Sequence, residues 1–160
     1  MTTTELNEKF YNELVEEYGE RVIALAQHLN LNLELGSEYE DEEEKQEAIQ
    51  EIKSELEQIQ EATYNNNLLE YYNESYLVLT DKEADDAWED ELQNYIDECI
   101  MPELERMEEN SGIRISYYFD EEAWKRDARF DGRGQSLNRY DGTEYEEKVN
   151  GTWYYIYRQD

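Results

Sequence analysis

Positive charge is what this chain has least of. Its 160 residues hold 14 lysines and arginines against 43 aspartates and glutamates, a formal net charge of −29. Such a chain repels nucleic acid and anionic membrane, so direct binding to either is excluded, and it is steered towards basic surfaces at rates that fall with salt. Cysteine is almost absent: Cys99 alone allows no internal disulfide and suits a reducing cytoplasm. No apolar run reaches 18 residues, so no membrane span is expected. The opening Met-Thr-Thr-Thr-Glu lacks the basic and apolar regions of a signal peptide. A cytoplasmic protein is the expectation. Catalytic signatures are missing too. There is no Gly-rich phosphate loop, no Cys-x-x-Cys, no His-Glu-x-x-His, no Gly-x-Ser-x-Gly and no calcium loop. The one histidine, His28, reads as a surface or dipole-facing residue at a helix end, and Cys99 as a buried structural thiol. No catalytic residue, cofactor or metal site is expected.

What is present is regular apolar spacing and many tyrosines, 15 in all. Tyrosine buries its ring but needs a partner for its hydroxyl, so the core should be thin and wet at its edges, with a loosely held patch near Gly36–Glu44. Charge is also unevenly distributed. Residues 1–112 carry 33 acidic and 6 basic side chains, whereas residues 113–160 carry 10 and 8.

Leu6, Phe10, Leu14, Tyr18, Val22, Leu25 and Leu29 recur at helical spacing, with Gly19 placed to split the run in two. Over Glu38–Glu61, Ile49, Ile52, Leu56 and Ile59 form a short heptad seam on an otherwise acidic helix. Asn65-Asn66-Asn67 reads as a loop. Tyr76–Leu79 reads as a strand, and Thr80 with Glu83 as the capping box of the next helix. That helix should turn Ala84, Trp88, Leu92, Tyr95, Ile96 and Cys99 inward until Pro102 ends or kinks it. Ile113, Ile115, Tyr117 and Phe119 alternate like a strand. Asp120 can cap a helix over Glu121–Phe130, and Asn150-Gly151 suits a type I′ turn between Glu144–Val149 and Thr152–Arg158. The final strand, Trp153–Tyr157, is the natural partner for Tyr76–Leu79, and Trp88, Trp124 and Trp153 are expected in the core. The predicted fold class is α+β: a small, mainly antiparallel sheet with several acidic amphipathic helices packed on one face. Its predicted parts are an acidic helical region, 1–75, and an α+β unit, 76–160, that holds the sheet and C-terminal hairpin.

Tyr118-Phe119-Asp120-Glu121-Glu122-Ala123-Trp124-Lys125-Arg126-Asp127 resembles the Tyr-Phe/Ile-Asp-x-Glu-x-x-x-Arg-Asp motif near the C-terminus of the ArdA antirestriction family. The resemblance covers those ten residues, under a quarter of the chain; where that family has a β-rich N-terminal region, this chain shows helical spacing. It implies an acidic DNA mimic carried by a phage or mobile element, acting in the host cytoplasm on restriction–modification enzymes, and a homodimer. Tyr76–Ala84, Tyr95–Cys99, Asp131–Gly134 and Tyr140-Asp141-Gly142 also resemble stretches of small acidic phage proteins.

Charge spacing leads to the same class independently. Taken as one helix, Glu38–Glu61 would span about 36 Å with a net charge of −9, a line density of the same order as one strand of duplex DNA. The expected partner-binding residues are Glu38, Glu40, Asp41, Glu42, Glu43, Glu44, Glu47, Glu51 and Glu55, joined by Asp85, Asp86, Glu89 and Asp90 on the helix after Thr80. The expected partner is the basic DNA channel of a bacterial defence complex, whether restriction–modification or CRISPR. An acidic adaptor or chaperone-like protein that shields a basic partner is the alternative, as is a phage assembly protein. Asp131-Gly132-Arg133-Gly134, with Lys125, Arg126 and Arg129, forms a local basic cluster better explained by salt bridging to the acidic half than by phosphate binding.

Overall fold

The computed structural model describes residues 2–36 and 38–160. Helix α1, Thr3–Tyr18, starts at a capping box: the Thr2 hydroxyl accepts from the Glu5 amide at 3.1 Å, and the Glu5 carboxylate accepts from the Thr2 amide at 3.2 Å. Gly19, at φ +90°, ends α1 and redirects the chain into α2, Glu20–His28, the split expected of a glycine there. Residues 22–26 of α2 are all buried. Helix α3, Glu42–Leu56, is capped by Asp41, which accepts from the Glu44 amide at 2.8 Å, so the end of the patch expected to be loose is pinned. Ser37 of that patch lies outside the described residues.

The acidic helix is shorter than expected. It stops at Leu56, and Ile59 opens strand β1, Ile59–Ala62, whose backbone pairs with β2, Asn65–Tyr71. Ile59 stays in the core beside Ile52 and Leu56, so the apolar seam survives the change from helix to strand. The three asparagines begin β2 instead of forming a loop: Asn65 pairs with Ala62 of β1 at an irregularity in the register, while its side-chain oxygen accepts from the Asn67 amide at 3.0 Å, so the local turn bond persists inside the strand. Strand β3, Glu74–Thr80, is central. The sheet is completed by β4, Tyr145–Val149, and β5, Thr152–Arg158, in the order β1-β2-β3-β5-β4, antiparallel throughout. Leu77 faces Tyr157, Val78 faces Ile156 and Leu79 faces Tyr155, the pairing predicted for these two runs. Asn150 and Gly151, at φ +47° and +88°, make the turn between β4 and β5.

The α+β class stands, but helices cover both faces of the sheet, not one. Tyr76, Val78, Tyr154 and Ile156 face the larger core, built with α1, α2 and α3. Leu77, Leu79, Tyr155 and Tyr157 face a smaller core with Ala84, Ala87 and Trp88 of α4, Asp81–Tyr95, and Leu137 of α7, Arg133–Leu137. Successive strand residues point to opposite faces, and the runs Tyr76–Leu79 and Trp153–Tyr157 are apolar or aromatic at every position. The boundary expected at 75/76 falls inside β3, and residues from Phe10 to Ile156 share one core.

Helix α4 has the expected Thr80–Glu83 capping box and runs through a π-helical turn, Ile96–Ile100, into α5, Met101–Ser111. The wide turn lies just before Pro102, whose ring cannot accommodate the regular hydrogen bond. It shifts the helical phase: Ile96 is buried, but Cys99 is exposed, and Tyr95 also lies outside the core. Ile113–Phe119 is no strand. It forms a 3₁₀ turn, Ile115–Tyr118, in which both the amide and the hydroxyl of Ser116 donate to Glu108; that local partner and the absence of a pairing strand leave Tyr117 and Tyr118 exposed. Asp120 caps α6, Glu121–Arg129, as expected. Among the tryptophans, Trp88 and Trp124 are half-buried, while Trp153 is 45 % exposed, next to the β4–β5 turn with the ammonium of its cross-strand neighbour Lys148 over its ring. Among the described residues no helix is long and apolar enough to cross a membrane.

Candidate acidic interface

The structure presents two acidic surfaces, and they differ in what surrounds the carboxylates. On the first, Glu38, Glu40, Asp41, Glu42, Glu43, Glu44, Glu47 and Glu51 are all exposed, and Glu55 is half-buried. Among the described residues none of the nine lies within ion-pair distance of a lysine or arginine. Their hydrogen bonds are to uncharged groups: Glu44 accepts from the Glu40 amide at 2.6 Å and Glu42 from the Gln46 side chain at 3.3 Å. The helix is fastened from its other side. Ile52 and Leu56 are buried, Lys53 pairs with Glu17 of α1 at 2.9 Å, Tyr18 donates to Glu57 at 3.2 Å, and the Tyr71 hydroxyl donates to Glu55. The bond to Glu55, aided by burial, pushes the Tyr71 hydroxyl up to about 12.

The 15-residue helix is about 22 Å long. It carries six acidic and two basic side chains, one net charge per roughly 6 Å, sparser than the roughly 3.4 Å spacing of a DNA strand. Glu38, Glu40 and Asp41 concentrate further charge at its N-terminal end.

On the second surface Asp85, Asp86, Glu89 and Asp90 point outward from α4 as expected, but most are neutralised within the protein. Arg133, with its side chain 11 % exposed, reaches Asp81 at 2.9 Å, Asp85 at 3.0 Å and Glu144 at 2.7 Å, and lies over the Tyr155 ring at 4.6 Å. Glu89 receives the buried Lys125 at 2.5 Å and Arg129 at 2.6 Å. Lys82 pairs with Asp86 at 2.7 Å and Arg139 with Glu91 at 3.3 Å. Lys125, with Arg129 beside it, holds the Glu89 carboxyl below the usual range despite partial desolvation. Lys125, Arg129 and Arg133 of the C-terminal basic cluster are thus turned onto α4, which favours the salt-bridge explanation for them, while Arg126 is exposed and has no ion-pair partner among the described residues.

Sequence reasoning missed the tyrosine hydroxyls that hold this carboxylate-rich fold together. Besides Tyr18 and Tyr71, Tyr76 donates to Glu74, Tyr154 to Glu20 at 3.0 Å, Tyr157 to Glu144 and Tyr145 to Asp141 at 2.7 Å. A tyrosine-rich, cation-poor composition was the available signal: with few ammonium or guanidinium groups to share, phenols become the donors. His28 is the last residue of α2, the helix-end position expected, and lies half-buried between the rings of Tyr76 and Tyr145, at 6.0 and 4.7 Å, not on the surface. Burial lowers its pKa against the opposing pull of Glu147 and Asp141. In the segment that carries the ArdA resemblance, Tyr118 is exposed, Asp120 caps α6, and Lys125 is buried on Glu89. No family model, curated protein or solved structure matches the chain.

Proposed function

We propose that the exposed carboxylates of Glu38–Glu51, with the half-buried Glu55 beside them, mimic the phosphates of DNA and occupy the basic DNA-binding channel of a bacterial defence complex, as a binding protein without catalysis of its own. The observation that carries this reading is that among the described residues these carboxylates have no cationic partner, while those of α4, Asp90 excepted, do. An unpaired carboxylate keeps its attraction for an incoming lysine or arginine, whereas a carboxylate already paired must first lose its partner. Glu38, Glu40 and Asp41, gathered before the helix, raise the density where α3 alone is too sparse. On this reading Asp85, Asp86, Glu89 and Asp90 contribute long-range field more than contact. The ArdA resemblance of Tyr118–Asp127 supports the same class of target, a phage-borne origin and a homodimer acting in the host cytoplasm.

Replacing Glu40, Glu43, Glu44, Glu47 and Glu51 by glutamine and Asp41 by asparagine removes six charges and keeps the cap of α3. The purified parent and variant are compared against a panel of restriction, methylation and CRISPR complexes, with duplex DNA as competitor over a range of salt. The parent should inhibit one of them, compete with DNA and weaken steeply with salt, and the variant should inhibit poorly while remaining folded. Equal inhibition by parent and variant at every salt concentration would remove this surface from the reading. Inhibition without competition by DNA would favour an adaptor that shields a basic partner elsewhere.

A further inference from the structure

The chain between α2 and α3 contains a pattern that neither acidic surface uses. Leu29, Leu31, Leu33 and Leu35 alternate with Asn30, Asn32 and Glu34, the period of a half-buried strand. Leu33 is buried and the other three leucines pack against the core, yet the segment is paired with no strand of the sheet. Among the described residues the amides of Asn32 and Leu33, and the carbonyls of residues 31–34, have no hydrogen-bond partner. Beside it lies an open cleft of about 950 Å³, walled on the far side by the first half of α1.

The lining of the cleft is unusual for this protein. Glu8 and Glu34 are its only charged residues among the described ones, and the walls carry Asn7, Asn12, Asn30, Asn32 and Asn150. Two of those amides have their orientation fixed. The Asn7 oxygen accepts from the Leu35 amide at 2.9 Å and the Asn32 oxygen from the Glu34 amide at 3.0 Å, which leaves their NH₂ groups as open donors. Asn12 has no side-chain partner among the described residues. Unpaired backbone along one wall and amide donors along the other match the carbonyl and N–H groups of an extended peptide, the mode in which a strand adds to an open edge.

We propose that this cleft binds an extended, lysine- or arginine-bearing peptide segment, laid along residues 31–35 with its cationic side chains on Glu8 and Glu34. Charge selects this occupant: Glu8 and Glu34 line the cleft of a chain at −29, so phosphates and acidic peptides are repelled and a cationic peptide is attracted. The inference is independent of the mimic reading, because the proposed contacts of α3 lie outside it.

The probe is a capped heptapeptide of alternating lysine and valine, compared with its glutamate–valine counterpart and with a version N-methylated at alternate residues. Binding is followed by the amide NMR shifts of the full chain. Shifts should concentrate on Asn7, Asn12 and residues 31–35, and affinity should fall at least tenfold on N-methylation. Asn12→Trp, which fills the cleft from an exposed position, should block binding with the remaining spectrum unchanged; Glu34→Gln should weaken it several-fold. The six-fold α3 variant should bind the probe within about threefold of the parent. No binding at millimolar probe, equal affinity for the N-methylated peptide, or shifts spread over α3 without the cleft would each overturn the proposal, the last two by showing diffuse charge attraction.

Discussion

Helices α3 and α4 are alike in sequence and opposite in circumstance. Each has 15 residues, an acidic first turn and a capped start. Around α4 the chain brings Arg133, Lys125, Arg129 and Arg139, so its carboxylates form part of the scaffold. Around α3 it brings phenols, and the Glu17 carboxylate that pairs with the helix's own Lys53, all near the side that packs on the protein; among the described residues the outer row has no counter-charge. Acidity in a sequence therefore does not by itself mark an interface. What matters is whether the fold supplies counter-charges, and here it does so for one helix only.

The sharpest way to break this contrast is through Arg133. Arg133→Ala should cost about 2–3 kcal/mol, reduced from the full value of a buried pair because its acidic partners are substantially exposed. It also leaves Asp81, Asp85 and Glu144 mutually repelling. Urea denaturation measures the loss, and one under about 0.5 kcal/mol would mean that α4 is no better neutralised than α3.

Charge removal should have unequal consequences on the two helices. Asp85→Asn with Glu89→Gln should destabilise by about 1 kcal/mol, since it strands Lys125, which is buried, and weakens the grip of Arg133. The six-fold α3 variant should fall within about 0.5 kcal/mol of the parent, because relief of repulsion offsets the lost helix-dipole benefit of the first-turn carboxylates. Thermal midpoints at matched salt decide between these outcomes; a larger loss from α3 than from α4 reverses the comparison.

The pH dependences differ as well. A tyrosine whose folded pKa is raised contributes stability that is fully present below its unfolded value near 10 and is lost as pH climbs through the folded value. Burial, with nearby Glu17 and Glu57, pushes Tyr18 up to about 12, and the bond to Glu55 does the same for Tyr71. The fastenings of α3 should therefore weaken between pH 10 and 12, visible as late tyrosinate absorbance that loses one component in Tyr71→Phe. Glu89 behaves in the reverse sense. Its carboxyl is held low by Lys125, so its contribution is present above the ordinary carboxylate value and is lost as pH falls through its lowered one. Carboxyl NMR titration of Glu89 reads this directly.

The smallest expected effect is that of salt on the parent. Raising ionic strength to about 0.15 M screens exposed charges beyond roughly 8 Å, so the bare α3 surface should become less costly to fold. The close α4 pairs lose part of their attraction over the same range. A modest net stabilisation by salt is expected, larger in Arg133→Ala, where more repulsion is left to screen; chemical denaturation by urea, which adds no ions, measures it.

Much of the fold was legible in local chemistry. Thr80 and Glu83 announced the start of α4, Asn150-Gly151 the last hairpin, and Gly19 the break between α1 and α2, because each acts on backbone groups within a few residues. The errors occurred where a distant partner decides. Asn65 joined a strand because Ala62 of β1 pairs with it, and Ile113–Phe119 lost its strand because Glu108 captures Ser116. Cys99 faces solvent because Pro102 widens the turn before it.

By itself the sequence determined the charge asymmetry, the α+β class, the pairing of Tyr76–Leu79 with Trp153–Tyr157 and the acidic residues available for a partner. Composition and apolar period are local quantities, and they carried these conclusions. Only the tertiary structure decided that helices cover both faces of the sheet, that phenols replace scarce cations as donors to buried-edge carboxylates, and that the carboxylates of α3 are bare while those of α4 are paired. Ion pairing depends on separations of a few ångströms between residues as far apart in sequence as Asp81 and Arg133, a distance that folding sets and sequence spacing does not.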